Sequence, residues 1–152
     1  MIQRKQTLFL VLVFLCGLLA SFLNLFTITY YEVEYTMSAL GGMTSPEEDL
    51  LWPVYLFPSI ITFATAAIAS IVMYKNRKNQ MKFVMLNNWV IVAAILGMIG
   101  FLFQGIGQLG VDADFNFSAA SLLLPMALMF NILALRGIKA DDDLIRSVDR
   151  IR

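Results

Sequence analysis

The residues best suited to chemistry are two runs of consecutive carboxylates, Glu47-Glu48-Asp49 and Asp141-Asp142-Asp143, which are the ligand type that a divalent cation takes. Neighbouring residues on a helix point about 100° apart, so three in succession aim three ways rather than at one ion. Both runs read better as acidic first turns of helices, placed at the positive end of the helix dipole. The chain has no His, and its single cysteine, Cys16, sits inside an apolar run. Zinc or haem binding, imidazole acid-base catalysis and intrachain disulfides are therefore not expected. Nor does the sequence hold a glycine-rich phosphate loop, a nucleophile elbow or a catalytic carboxylate pair. No catalytic residue, cofactor site or metal site is expected from these patterns.

The polar residues within the apolar runs are neutral: Asn24, Thr27, Ser59, Thr62, Thr65, Ser70, Asn87, Asn88, Gln104, Ser121 and Asn131. Ion-coupled transporters place an ionisable group inside the membrane, which argues against a proton-coupled exporter. These side chains are expected mostly to hydrogen-bond between helices. Ala93, Gly97, Gly100 and Gln104 share one helical face that lets another backbone come close. Either internal bundle packing or a homo-oligomer seam or substrate groove would use it. Pro53, Pro58 and Pro125 are candidate helix kinks.

The elements that must position these residues follow from composition. Of 152 residues, 59% are hydrophobic and 14% charged, against about 25% charged in an ordinary soluble domain, and the mean hydropathy is +0.75. A bilayer core about 30 Å thick is crossed by roughly 20 apolar helical residues, and four uncharged runs qualify, at about 7–29, 51–74, 83–104 and 118–135. Arg4 and Lys5 precede the first. Its length and the lack of a small-residue cleavage site make it an uncleaved anchor rather than a signal peptide.

All eleven basic residues lie before the first run, between the second and third, or after the fourth. The segments 30–50 and 105–117 contain acidic residues and no basic ones. Positive-inside sorting then puts both termini in the cytoplasm, which requires an even number of spans. The expected fold is an all-α membrane protein, a single integral domain over 1–152 built as a four-transmembrane-helix bundle.

Outside the spans, Ser45-Pro46-Glu47-Glu48 has the composition of a helix start, so the second helix is expected to begin near Pro46. Period-two alternation over 28–35 and 111–118 suggests strands of a small sheet on the outer face, with an aromatic interfacial belt as the alternative. The cytoplasmic tail, 136–152, reads as a short amphipathic helix with Leu144, Val148 and Ile151 on one face and a break at Gly137. Arg4, Lys5, Asp141, Asp142, Asp143, Arg146 and Arg150 would share one compartment, and the N-terminus and tail are expected to pair there as an interaction patch.

The ends of the chain resemble a family of small Bacteroidota membrane proteins known as domain of unknown function 4293. The matching residues are Met1-Ile2-Gln3-Arg4, Gln6 and Leu8 at the start. At the end they are Ala134-Leu135-Arg136-Gly137-Ile138-Lys139, Asp142, Leu144, Arg146-Ser147, Asp149-Arg150 and Arg152. The resemblance implies a four-helix protein of the bacterial inner membrane and carries no activity with it.

These features favour a non-catalytic scaffold or accessory subunit, with the bilayer as surroundings and a protein partner met through the tail or the outer loops. A transporter or channel for a small or lipid-like molecule is the second reading. A lipid- or quinone-active membrane enzyme is the third, and a claudin-like adhesion role the last, since the loops lack cysteines. The short basic segments do not suit nucleic-acid recognition.

Overall fold

A computed structural model describes residues 3–39, 42–44, 56–109 and 114–149. In chain order these form α1 (Gln3–Phe22), β1 (Asn24–Tyr30), β2 (Val33–Ser38), β3 (Gly42–Thr44), α2 (Leu56–Val72), α3 (Arg77–Leu109), β4 (Asp114–Phe117) and α4 (Leu123–Asp149). Short 3-10 turns at Met73–Lys75 and Ala119–Leu122 precede α3 and α4. The described residues are mostly helical. Three stretches, Lys5–Phe22, Arg77–Gln104 and Ala119–Ile145, are long and apolar enough to cross a membrane, while the apolar part of α2, Pro58–Val72, is shorter.

The helices pack in a ring, α1 against α2 and α4, and α3 against α2 and α4. The α1 residues Leu10, Val13 and Ala20 are buried; Val13 and Ala20 join a core that includes Ile60, Phe63, Ile91 and Leu124, and Leu10 a second cluster with Val84, Ala134 and Ile138. Gly17 lets α2 come close. A methyl group there would lie 2.8 Å from the Phe63 ring and 2.9 Å from Ala64 Cβ. The surfaces turned away from the ring are apolar as well, with Leu8, Leu15, Leu19, Met85, Leu86, Trp89, Leu96 and Phe103 exposed.

The first helix is shorter than its apolar run. It ends at Phe22, and Asn24–Tyr30 continues as β1, so the expected span over 7–29 is corrected to a helix followed by a strand. Hydropathy alone cannot separate the two, because Leu25, Phe26 and Ile28 are as apolar as the helix and are buried in the same core. Four antiparallel strands form one sheet in the order β3-β2-β1-β4. Tyr30 pairs with Val33 across a two-residue turn in which Tyr31 (φ 47°) and Glu32 (φ 66°) are both left-handed. Such turns match the twist of paired strands, and they usually employ Asn or Gly. The alternation over 28–35 is thus two strands and a turn rather than one strand. In the second stretch β4 occupies Asp114–Phe117, and 111–113 lie outside the described residues.

The sheet closes one end of the ring, because β1 follows α1 directly and β4 joins α3 to α4. The Ser118 amide donates to the Leu25 carbonyl at 3.2 Å, fastening the start of the α4 segment to β1. Ser118 also caps the 3-10 turn by accepting from the Ala120 amide at 3.4 Å. Pro125 is the third residue of α4, where a missing N–H costs no helical hydrogen bond, so it starts a helix rather than kinking one. Pro58 is the third residue of α2 as described. Pro46, Pro53 and the run Glu47-Glu48-Asp49 lie outside the described residues.

No break occurs at Gly137. Helix α4 runs on to Asp149, so the fourth span and the tail helix are one element. Most of the neutral hydroxyls likewise bond within their own helix rather than between helices: Thr62 donates to the Pro58 carbonyl at 2.7 Å and Ser70 to that of Ala66 at 2.8 Å. Asparagine, glutamine and the pair Arg77–Asp141 make polar contacts from helix to helix.

Candidate functional site at the tail end of the bundle

Opposite the sheet, the start of α1, the turn from α2 into α3, and the tail half of α4 converge. Asn76 starts α3 here, its Oδ1 accepting from the Asn79 amide at 3.3 Å in the manner of an N-cap. One turn along, the buried Gln80 donates from Nε2 to the Ser70 carbonyl at 3.0 Å, tying α3 to the end of α2. Arg77 points towards α4, where its Nη1 lies 3.2 Å from Asp141 Oδ2, an ion pair by distance that lacks the alignment of a hydrogen bond. The two side chains are 22% and 13% exposed, so this pair is better shielded from water than a surface salt bridge.

Gln6 completes the cluster from α1. It is 6% exposed, and its Nε2 has no hydrogen-bond partner. Its side chain lies over Gly137, where a Cβ would meet Gln6 Cγ at 3.0 Å. Gln6, Tyr74, Arg77, Gln80 and Asp141 line a cleft of about 140 Å³. With one cation paired to one anion and two amides, the cleft offers hydrogen bonds and little net charge.

A second polar group lies deeper, between α3 and α4. Asn131 donates to the Val84 carbonyl at 2.9 Å and to Asn88 Oδ1 at 2.8 Å, and accepts from Asn87 Nδ2 at 3.2 Å. Asn87 and Asn131 are fully buried, and Asn87 Oδ1 is left without a partner. All members are neutral amides or backbone, suited to holding two helices in register.

The residues expected to form a patch are only partly brought together. Asp141 enters the cleft through Arg77, Asp142 is half-buried, and Asp143 and Lys5 are exposed. Arg4 lies in α1 and Arg146 in α4, while Arg150 is outside the described residues. Among the described residues no group of three potential metal ligands is assembled, and the three aspartates diverge around α4 as helical spacing dictates. On α3, Ala93, Gly100 and Gln104 are exposed and Gly97 is half-buried. A Cβ on Gly100 would meet nothing within 4 Å. Among the described residues this face is largely exposed, with Gly97 its one half-buried member.

Gln6, Arg77 and Gln80 were not singled out by sequence pattern. Gln6 and Gly137, however, are both among the residues that carry the family resemblance, at opposite ends of the chain. The sequence profile described as Domain of unknown function (DUF4293) matches residues 2–151, nearly the whole chain. The chain belongs to this family. No curated protein matches it. In this DUF4293 member the two recognisable ends meet at the cleft.

Proposed function

We propose that this DUF4293 protein is a non-catalytic scaffold or accessory subunit of a complex in the bacterial inner membrane. The observation carrying this reading is the continuous α4. It leaves the bundle without a break, is held by the Arg77–Asp141 pair, and exposes Leu144 and Ile145 beyond it. A rigid helix with exposed apolar residues past the bundle is suited to docking a partner.

Membrane integration is supported by helices that are apolar all round, since a helix with no polar face needs lipid or a large protein interior about it. The charge distribution supports both termini in the cytoplasm. Lys5, Arg77, Lys78, Lys82, Arg136 and Lys139 belong to the tail end, and Glu32, Glu34 and Asp114 to the sheet. The interlocked Asn87, Asn88 and Asn131 favour a support over a solute path, because side chains bonded to one another are not available to line one.

Gentle detergent extraction of a tagged copy from native membranes tests the proposal. A partner protein should be recovered in fixed stoichiometry, and it should be lost when Leu144 and Ile145 are changed to Ser. A chain that purifies alone as a monomer would refute the scaffold reading.

A further inference from the structure

A groove between α3 and α4 lies close to the cleft and differs from it in chemistry. Met81, Met85 and Leu135 form its floor, and Lys78, Lys82 and Lys139 line the remainder, around a volume of about 440 Å³. All three lysines are exposed. Among the described residues an ion pair in this region joins Arg77 to Asp141, and none of these lysines shares in it.

The groove has a polarity along its length. Helix α3 starts at the tail end, so Lys78 comes first, Lys82 one turn on, and Met85 deeper still. Helix α4 returns in the opposite sense, passing Leu135 before Lys139. A helical turn advances about 5.4 Å. On both walls, then, the deepest residue is apolar, Met85 or Leu135, and a lysine lies about one turn nearer the end, with Met81 between the two lysines of α3. This matches the order of acyl chain and phosphate in one leaflet, with lysine stems lying along the apolar surface and their charges at the headgroup level.

We infer that this groove is a binding site for an anionic phospholipid of the cytoplasmic leaflet, with an acyl chain on Met81, Met85 and Leu135 and the headgroup phosphate held by Lys78, Lys82 and Lys139. The inference rests on the membrane reading above. An acidic peptide would satisfy the lysines but has no use for an apolar floor continuing towards the membrane centre. A zwitterionic lipid would fill the floor while leaving three positive charges unmatched.

The full chain, reconstituted separately in nanodiscs containing phosphatidylethanolamine with phosphatidylglycerol or with cardiolipin, provides the test. Lipids retained after transfer to mild detergent are measured by native mass spectrometry. Wild-type protein should keep the anionic lipid in preference to phosphatidylethanolamine, and K78Q/K82Q/K139Q should lose that preference by about tenfold or more. K5Q, which removes an exposed charge on α1, should keep it. Water-soluble glycerophosphate should not displace the bound lipid, because it has no acyl chain. Equal retention by the triple variant, no preference for anionic lipid in the wild type, or displacement by glycerophosphate would overturn the site. Alkaline carbonate extraction is read in parallel, and release of the chain by carbonate would instead refute the membrane reading.

Discussion

Asn87 on α3 donates from Nδ2 to the Oδ1 of Asn131 on α4 at 3.2 Å, with both side chains fully buried. Removing one partner strands the other. Asn131→Leu leaves the Asn87 amide, Asn88 Oδ1 and the Val84 carbonyl without their bonds, and should cost about 1–3 kcal/mol of unfolding free energy. Asn87→Leu removes a single bond and should cost less. The double variant should be more stable than the sum of the two predicts, with a coupling of about 0.6 kcal/mol, the size usual between membrane helices. Unfolding in mixed micelles measures all three, and strict additivity would mean that the pair contributes nothing.

Two glycines with opposite surroundings make a second comparison. Gly17→Ala puts a methyl group 2.8 Å from the Phe63 ring and 2.9 Å from Ala64 Cβ, so α1 and α2 must separate or Phe63 must leave its rotamer. The expected loss is about 1–3 kcal/mol. Gly100→Ala meets open space and should be neutral or stabilise by up to about 1 kcal/mol through helix propensity. Thermal unfolding in detergent should separate the variants, and a Gly17→Ala protein as stable as wild type would contradict the close approach.

Much of the architecture is legible in the sequence because hydrophobic runs and charge sorting are local properties. The four helices and the strand character of 28–30 and 114–117 can be read that way. What failed did so for identifiable reasons. Leu25, Phe26 and Ile28 extend the first apolar run, and only pairing with β2 and β4 makes them a strand. Gly137 resembles a helix stop until Gln6 is seen lying against it, which gives a glycine inside a continuous helix a packing reason. Arg77 and Asp141 are 64 positions apart, and nothing in either local pattern brings them together.

That pair gives a third prediction. Asp141→Asn removes the anion holding Arg77 and should loosen the tail half of α4 while leaving the rest of the bundle intact. Loss of about 1 kcal/mol of local stability would raise amide exchange around 141–149 roughly fivefold. The swap R77D/D141R should restore part of the protection. Exchange in the tail that is unchanged by Asp141→Asn would show that the helix is held by packing alone, and would weaken the view of α4 as a pinned docking element.

Gly137 and Gln6 allow opposing effects to be separated. Alanine is the better helix former at an interior position by about 1 kcal/mol, yet its methyl group would lie 3.0 Å from Gln6 Cγ. In the wild-type background Gly137→Ala should therefore gain little, because Gln6 has to move. In a Gln6→Ala background the obstruction is absent and the same substitution should stabilise by most of the propensity difference. Equal effects in both backgrounds, measured by thermal unfolding, would mean that the two ends of the chain do not touch.

Orientation depends on which face of the membrane carries the sheet. Glu34 on β2 and Asp143 on α4 are both exposed and belong to opposite ends of the bundle, so single cysteines at these positions report on the two sides. Cys16 is buried in the core and should stay silent in both variants. With the basic end in the cytoplasm, a membrane-impermeant maleimide added to cells whose outer membrane has been opened should label Glu34→Cys at once. It should reach Asp143→Cys only after the inner membrane is permeabilised. The reverse order would place the sheet in the cytoplasm, against the charge sorting, and would move the proposed docking helix and the lysine groove to the other leaflet. Labelling of both without permeabilisation would mean that the bundle does not span the bilayer, leaving its exposed leucines and phenylalanines to be covered by protein instead.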